Sequence, residues 1–176
     1  VNSCKALLMN KDKLFFIIQP LLRHLPYKIG RLLRNSIYRL FLKKAGKNIN
    51  FMEGIIIKYP SEIEMGNNVT INQDCFIVGK GGLILGDDIM IGAGCKIVTT
   101  THNVITRDKP MREQGMSFEK ITIGNDVWFG FNVVVLKGST IGSGVILAAG
   151  CVLTAKEVPD YTIWGGVPAR NIGTRE

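Results

Sequence analysis

Aliphatic side chains recur every six residues through the second half of this chain. Ile123, Phe129, Val135, Ile141, Leu147 and Leu153 form an unbroken series, and Leu85, Ile91 and Ile97 keep the same step before it. A second inward set lies four residues behind seven of these, at Ile89, Cys95, Val127, Val133, Ser139, Val145 and Cys151. An amphipathic helix needs a period of 3.6 and a solitary strand a period of 2. Six fits neither, but it fits short strands joined by tight corners, three strands to a coil of about 18 residues. One coil cannot bury its own aliphatic face, whereas stacked coils share one continuous core. Glycine follows the first slot at Gly86, Gly92, Gly124, Gly130 and Gly142, where a side chain is expected to strain the corner. An earlier series, Met65, Ile71, Ile77 and Leu83, runs in a frame displaced by two residues before Leu85. The fold class expected is an all-β solenoid over residues 49–172, with a tail at 173–176.

Residues 1–48 follow a different rule. Leu14, Ile17, Ile18, Leu21 and Leu22, and then Ile29, Leu32, Leu33, Ile37, Leu40 and Phe41, keep the helical period. Pro20 and the pair Leu25-Pro26 divide this stretch into two or three helical pieces, and Gly46 is the expected stop. The arm carries eleven Lys or Arg against the single acid Asp12, while the rest of the chain is close to neutral. Arg31, Arg34 and Arg39 fall beside the apolar stripe, which makes the arm a basic amphipathic helix. Such a helix suits nucleic acid, an anionic membrane surface, or plain solvent. The longest apolar run, Leu14 to Ile18, is far short of the ~20 residues that span a bilayer.

The four cysteines include no CxxC pair. Cys95 and Cys151 fall in inward slots of the repeat, where a small apolar residue suits the core. A reducing, cytoplasmic setting is expected. Two histidines exist, His24 in the arm and His102. His102 closes the hexad that begins at Ile97, directly before an interruption of the repeat from Asn103 to Lys120. A coil that opens there into an external loop creates a concave edge. Position alone leaves a structural and a catalytic reading of His102 equally open.

The run Ile123-Gly124-Asn125-Asp126-Val127-Trp128-Phe129-Gly130, the stretch Ala148-Ala149-Gly150 and the end Gly165-Gly166-Val167-Pro168-Ala169-Arg170 resemble the signatures of the hexapeptide-repeat acetyltransferases. They are most similar to the branch containing galactoside and maltose O-acetyltransferases. The loop Lys109 to Gly115 resembles members that O-acetylate bacterial surface polysaccharides. The resemblance implies a left-handed parallel β-helix with a short helical N-terminal arm and an external loop at 103–120. It implies acetyl-CoA as co-substrate, no metal, and a homotrimer with sites shared between subunits. It also implies that His102 is the general base, and imidazole suits that task because it takes up and releases a proton near neutral pH.

The same resemblance places Asn72 at the acceptor, although an asparagine there also suits a plain turn. Trp128, Gly130 and Phe131 would border the pantetheine arm, with Ala148, Ala149 and Thr154 following it along successive coils. Lys156 and Arg170 would approach the phosphates. The chain departs from the pattern at Phe131, where a small or polar residue is usual, and at Ala155, where lysine is frequent. One extra residue before Pro159 alters the register at Lys156.

The expected activity is transfer of an acetyl group to a sugar hydroxyl in surface-polysaccharide synthesis, with a sugar or lipid-linked saccharide as partner and no nucleic acid. The arm would allow peripheral contact with the inner face of the membrane. The alternatives are a small-molecule or antibiotic acetyltransferase of the streptogramin type and a non-catalytic β-helix scaffold with a membrane-binding basic arm. Two histidines cannot supply the three-histidine zinc site of a γ-class carbonic anhydrase.

Overall fold

A computed structural model describes residues 10–154 and 157–176. The six-residue period becomes a left-handed parallel β-helix, a triangular prism of stacked coils. The first face holds Lys44–Ala45, Ile63–Met65, Leu83–Leu85, Ile121–Ile123, Thr140–Ile141 and Glu157–Val158. The second holds Asn50–Phe51, Thr70–Ile71, Met90–Ile91, Trp128–Phe129, Ile146–Leu147 and Thr162–Gly165, with Arg170–Thr174 added antiparallel. The third holds Ile56–Lys58, Phe76–Val78, Lys96–Val98, Val134–Leu136 and Val152–Leu153. The repeat's aliphatic residues point inward, and Phe129, Val135, Leu147 and Leu153 are wholly buried. Cys75, Cys95 and Cys151 are buried free thiols in the same column. Burial pushes the Cys151 thiol up to about 11.

The displaced early frame has a local cause. Ile63 pairs with Leu83 and Ile77 with Ile97, steps of 20, whereas Ile123 pairs with Ile141, a step of 18. The two additional residues sit at the corner between the third and first faces. One early coil turns that corner through a short 3-10 helix at Pro60–Glu62, and the next through Gly81 and Gly82, both at positive φ. The external segment grows from the same corner one coil later, between Val98 and Ile121.

The first-to-second corner explains its glycines differently from the expectation. A Cβ on Gly66 would stand 2.6 Å from the Gly86 carbonyl oxygen, and one on Gly86 would stand 2.7 Å from that of Gly124. Close approach of successive coils excludes the side chain there. The positive φ values fall two residues later, on Asn48, Asn68, Asp88 and Asp126, residue types that tolerate the left-handed region. Gly46, expected to stop a helix, belongs to this column, because its Cβ would meet the Gly66 carbonyl oxygen at 2.3 Å. The helix already ends at Phe41, and the first strand forms at Lys44–Ala45. At the other end, residues 173 and 174 complete the antiparallel strand, and Arg175 Nη1 reaches the Asp126 carboxylate at 2.7 Å.

Among the described residues the arm holds two helices, α1 (Lys11–Arg23) and α2 (Tyr27–Phe41). Pro20 lies inside α1 and does not divide it. Phe15 and Tyr38 are buried with their rings edge-on at 4.9 Å, and Phe41 and Phe51 close the cluster. The buried Gln19 accepts from the Ile57 amide at 2.6 Å, tying α1 to the third face. Arg34, expected beside the stripe among the outward charges, is buried, 2% exposed. Its guanidinium donates to the carbonyl oxygens of Phe51 (3.1 Å), Leu22 (3.1 Å) and Leu25 (2.8 Å). A rigid five-donor fork can satisfy three carbonyls from different segments, which is why arginine occupies this position.

Candidate functional site

The second-to-third corner stacks several of the expected residues in one column. Asn72, then Gly92, then Gly130 with Phe131, and then Ala148 with Ala149 leave the second face in four successive coils of the solenoid. Asn72 Nδ2 donates to the Ile91 carbonyl oxygen at 2.8 Å, so its amide group braces the next coil as a turn asparagine does. A Cβ on Gly130 would lie 2.6 Å from the Ala149 amide nitrogen. Glycine is therefore required at this position, and with Ala148 and Ala149 beside it backbone lies within reach of a ligand laid against the edge. Trp128 projects outward from the second face in register with Met90 and Ile146. Trp128, Met90 and Phe131 are 49%, 55% and 63% exposed. Trp128 and Met90 are neighbours on this face, and exposed apolar neighbours of this kind mark a contact surface.

Arg170 opens the antiparallel strand on the second face, is exposed, and its Nη1 donates to the Ala169 carbonyl oxygen at 3.0 Å. Thr154 is half-buried and follows Val152–Leu153, so it belongs to the third-to-first corner. Lys156 and Ala155 lie outside the described residues.

His102 stands on a β-hairpin that leaves the third-to-first corner. The buried Thr99 anchors the hairpin, its Oγ1 lying 2.9 Å from the Val78 carbonyl oxygen and 2.6 Å from that of Lys80. Thr100–His102 then pairs antiparallel with Met116–Phe118, setting His102 opposite Met116. The excursion from the repeat thus reaches back to Thr100, and His102 lies within its first strand. Gln114 organises the tip. Its Oε1 accepts from the amides of Ile105 (2.8 Å) and Thr106 (3.0 Å), and its Nε2 donates to the carbonyl oxygens of Thr106 and Lys109, each at 2.8 Å. His102 is exposed on this frame. His24 is exposed as well, at the C-cap of α1.

One chain therefore does not gather the expected residues into one pocket. Asn72, Gly130, Phe131, Ala148 and Ala149 share one edge of the prism, while His102 and Thr154 belong to another. A cleft of about 640 Å³ lies beside neither Trp128 nor Phe131. It opens between α1 and the third-to-first corner and is lined by Lys13, Lys58, Tyr59 and Lys80, none of which the repeat pattern singled out. Among the described residues, no group of three His, Cys, Asp or Glu side chains could hold a metal ion.

Residues 120–155 match the model of the bacterial transferase hexapeptide family, six repeats. Galactoside O-acetyltransferase of Escherichia coli (strain K12) is 31% identical over 140 residues, covering 79% of this chain and 67% of that protein. The putative acetyltransferase YvoF of Bacillus subtilis (strain 168) is 31% identical over 164 residues, covering 92% of this chain and 76% of that one. The chain spans 54% and 39% of two further curated acetyltransferase relatives. Among solved structures, a galactoside acetyltransferase in complex with coenzyme A superposes with a TM-score of 0.85 at 28% identity, covering all of this chain and 86% of that one.

Proposed function

The chain belongs to the hexapeptide-repeat acetyltransferases, and on that premise we propose that it carries an acetyl group from acetyl-CoA to a hydroxyl of a sugar, with His102 as the general base. The placement of His102 carries this reading: an exposed imidazole on a braced hairpin that interrupts an otherwise regular solenoid. As the sugar oxygen attacks the thioester carbonyl, His102 takes the hydroxyl proton. When the tetrahedral intermediate collapses, the C–S bond breaks and the same proton passes to the departing thiolate. Backbone N–H groups of the small-residue edge are suited to the developing oxyanion. Incubation with acetyl-CoA and a panel of sugars, followed by release of free CoA and mass of the product, tests the reading. Donor consumption with no acetylated sugar would overturn it.

The division of the expected residues between two edges supports a shared site. We propose a homotrimer in which the His102 hairpin of one subunit faces the edge of its neighbour that carries Trp128, Gly130, Phe131, Ala148 and Ala149. The pantetheine arm would lie along that edge, and Arg170 and Lys156 would meet the phosphates. Cyclic assembly around a three-fold axis repeats the same pair of edges three times. Light scattering at micromolar concentration should return three times the 19.4 kDa chain mass. A monomer would refute the shared site. Trp128→Ala should raise the KM for acetyl-CoA about tenfold with a smaller change in kcat, because it removes contact area and no proton acceptor.

The acceptor in this reading belongs to surface-polysaccharide synthesis and is carried on a lipid, with the arm at the membrane surface. Among the described residues, no helix is long and apolar enough to cross a membrane. Yet Phe16, Ile17 and Leu21 of α1 and Ile29, Leu32 and Leu40 of α2 are exposed, with Lys13 and Lys28 also exposed on these helices. Apolar side chains bordered by lysine suit an anionic interface. Co-sedimentation with anionic vesicles should weaken as salt rises and should be lost in a Phe16→Ser/Leu32→Ser variant. No binding at low salt would place the acceptor in solution.

A further inference from the structure

We propose that the cleft between α1 and the third-to-first corner is an acceptor subsite for a negatively charged saccharide, its charge a carboxylate or a phosphate. The proposal rests on the reading of the chain as a sugar O-acetyltransferase and adds the class of sugar. Three lysines, Lys13, Lys58 and Lys80, line the 640 Å³ cleft against one acid, Asp12, and the Lys58 ammonium stands 5.4 Å from the centre of the Phe76 ring. The Asp12 carboxylate is already held, with Oδ1 accepting from the Ser61 amide at 3.1 Å and Oδ2 from the Ser61 hydroxyl at 2.7 Å. Lys80 pairs with Glu62 at 3.1 Å, and the second oxygen of Glu62 accepts from the Gly81 amide at 2.8 Å. Lys13 and Lys58 are exposed and have no carboxylate within ion-pair distance among the described residues. The cleft thus keeps an excess of positive charge, and a concave cationic wall concentrates anions.

Its apolar side suits a sugar ring. Tyr59 is held at φ 56 and ψ 53, a conformation that bulky side chains seldom adopt, and its ring is 41% exposed. Lys80 Nζ stands 5.3 Å from the centre of that ring. A few placed charges on an apolar wall are the usual composition of a small-ligand site.

Lys80 links the cleft to the hairpin that carries the base. Lys80 Nζ lies 6.0 Å from the centre of the Phe118 ring on the His102 hairpin. Phe118 is opposite Thr100, and Met116 is opposite His102. Opposed residues of an antiparallel pair share a face, as do residues two apart along a strand, so Phe118 and His102 lie on one side of the hairpin. Two residues of strand measure about 7 Å, and with the 6.0 Å between Lys80 and the Phe118 ring the path to His102 is at most about 13 Å, the length of one to two sugar rings. An anionic group held by Lys58 and Lys80 would leave a hydroxyl of the same or the adjoining sugar facing His102.

The test compares glucuronic acid, glucose 1-phosphate and glucose as acceptors for the intact protein and for Lys13→Gln/Lys58→Gln. The expected kcat/KM for at least one charged sugar is about tenfold or more above that for glucose, carried mainly by KM. The double variant should lose that advantage while keeping the rise in melting temperature that acetyl-CoA induces. Whichever charged sugar is preferred identifies carboxylate or phosphate. Equal turnover of all three sugars would overturn the subsite and leave the sugar O-acetyltransferase reading standing. If no sugar is acetylated, that reading fails and calorimetric titration decides the cleft separately. Binding of a charged sugar that the double variant loses supports the subsite, and no binding of either charged sugar overturns it.

Discussion

Replacing His102 with alanine should lower acetyl transfer by roughly 10²–10⁴-fold, the usual contribution of a positioned general base. The fold should not notice. His102 is exposed, and the hairpin beneath it is fixed by the Thr99 hydroxyl and the Gln114 carboxamide, neither of which touches the imidazole. Circular dichroism and the melting temperature should therefore match the parent. The stabilisation that CoA confers should also persist, because binding to the folded state alone produces it and the imidazole contributes a proton acceptor to the reaction. Gln114→Ala makes the contrast. It releases four hydrogen bonds at the hairpin tip, so it should reduce kcat by misplacing His102 while the imidazole is intact. Full activity in His102→Ala would remove the base from this residue. Loss of CoA stabilisation in the same variant would assign His102 to binding instead.

The solenoid was legible because its period is a direct consequence of the stacking. Residues such as Ile123, Phe129 and Val135 repeat every six positions since each must fill the same inward slot of the next strand, and all three are buried. The arm was legible only as helix. Phe15, Ile18 and Leu22 face the solenoid, but Phe16, Ile17 and Leu21 beside them face outward, so α1 has apolar residues on both sides. Periodicity cannot then say which side is inside. The same ambiguity hid Arg34 among the other basic residues. The cleft was invisible for another reason. Lys13, Lys58 and Lys80 come from a helix and from the ends of two coils, and only the two additional corner residues of each early coil bring them together. Lys58 directly follows the inward Ile57, whereas Lys80 stands three residues beyond Ile77, so no shared position in the repeat links them. Trp128, Gly130 and Phe131 came from resemblance to a family. The structure explains Gly130 by the close approach of Ala149 and shows that the exposed aromatic pair stands on a different edge from His102.

Arg34→Ala should be the most damaging single change to stability. The side chain is 2% exposed and satisfies the carbonyl oxygens of Phe51, Leu22 and Leu25, which come from the second face, from α1 and from the link between the helices. Its removal takes the guanidinium donor from the Phe51 and Leu25 carbonyls, leaves Leu22 with its backbone amide donors alone, and opens a void beside Tyr38. A buried acceptor left unpaired costs about 1–3 kcal/mol, and entry of water into the void offsets part of the sum, so a loss of about 3 kcal/mol is expected. Because each acceptor lies where the arm meets the first coils, the damage should be local. Limited proteolysis should cut between α1 and α2 well before the solenoid melts. Arg34→Lys should recover only part of the loss, because a single ammonium cannot span carbonyls that a planar guanidinium reaches through separate nitrogens. An Arg34→Ala protein with the parent's urea midpoint and an arm equally resistant to protease would show that aromatic packing of Phe15, Tyr38 and Phe41 holds the arm unaided. If the arm instead loosens while the trimer survives, the cleft built from α1 should open with it. Preference for a charged acceptor should then fall in Arg34→Ala, although Arg34 does not line that cleft.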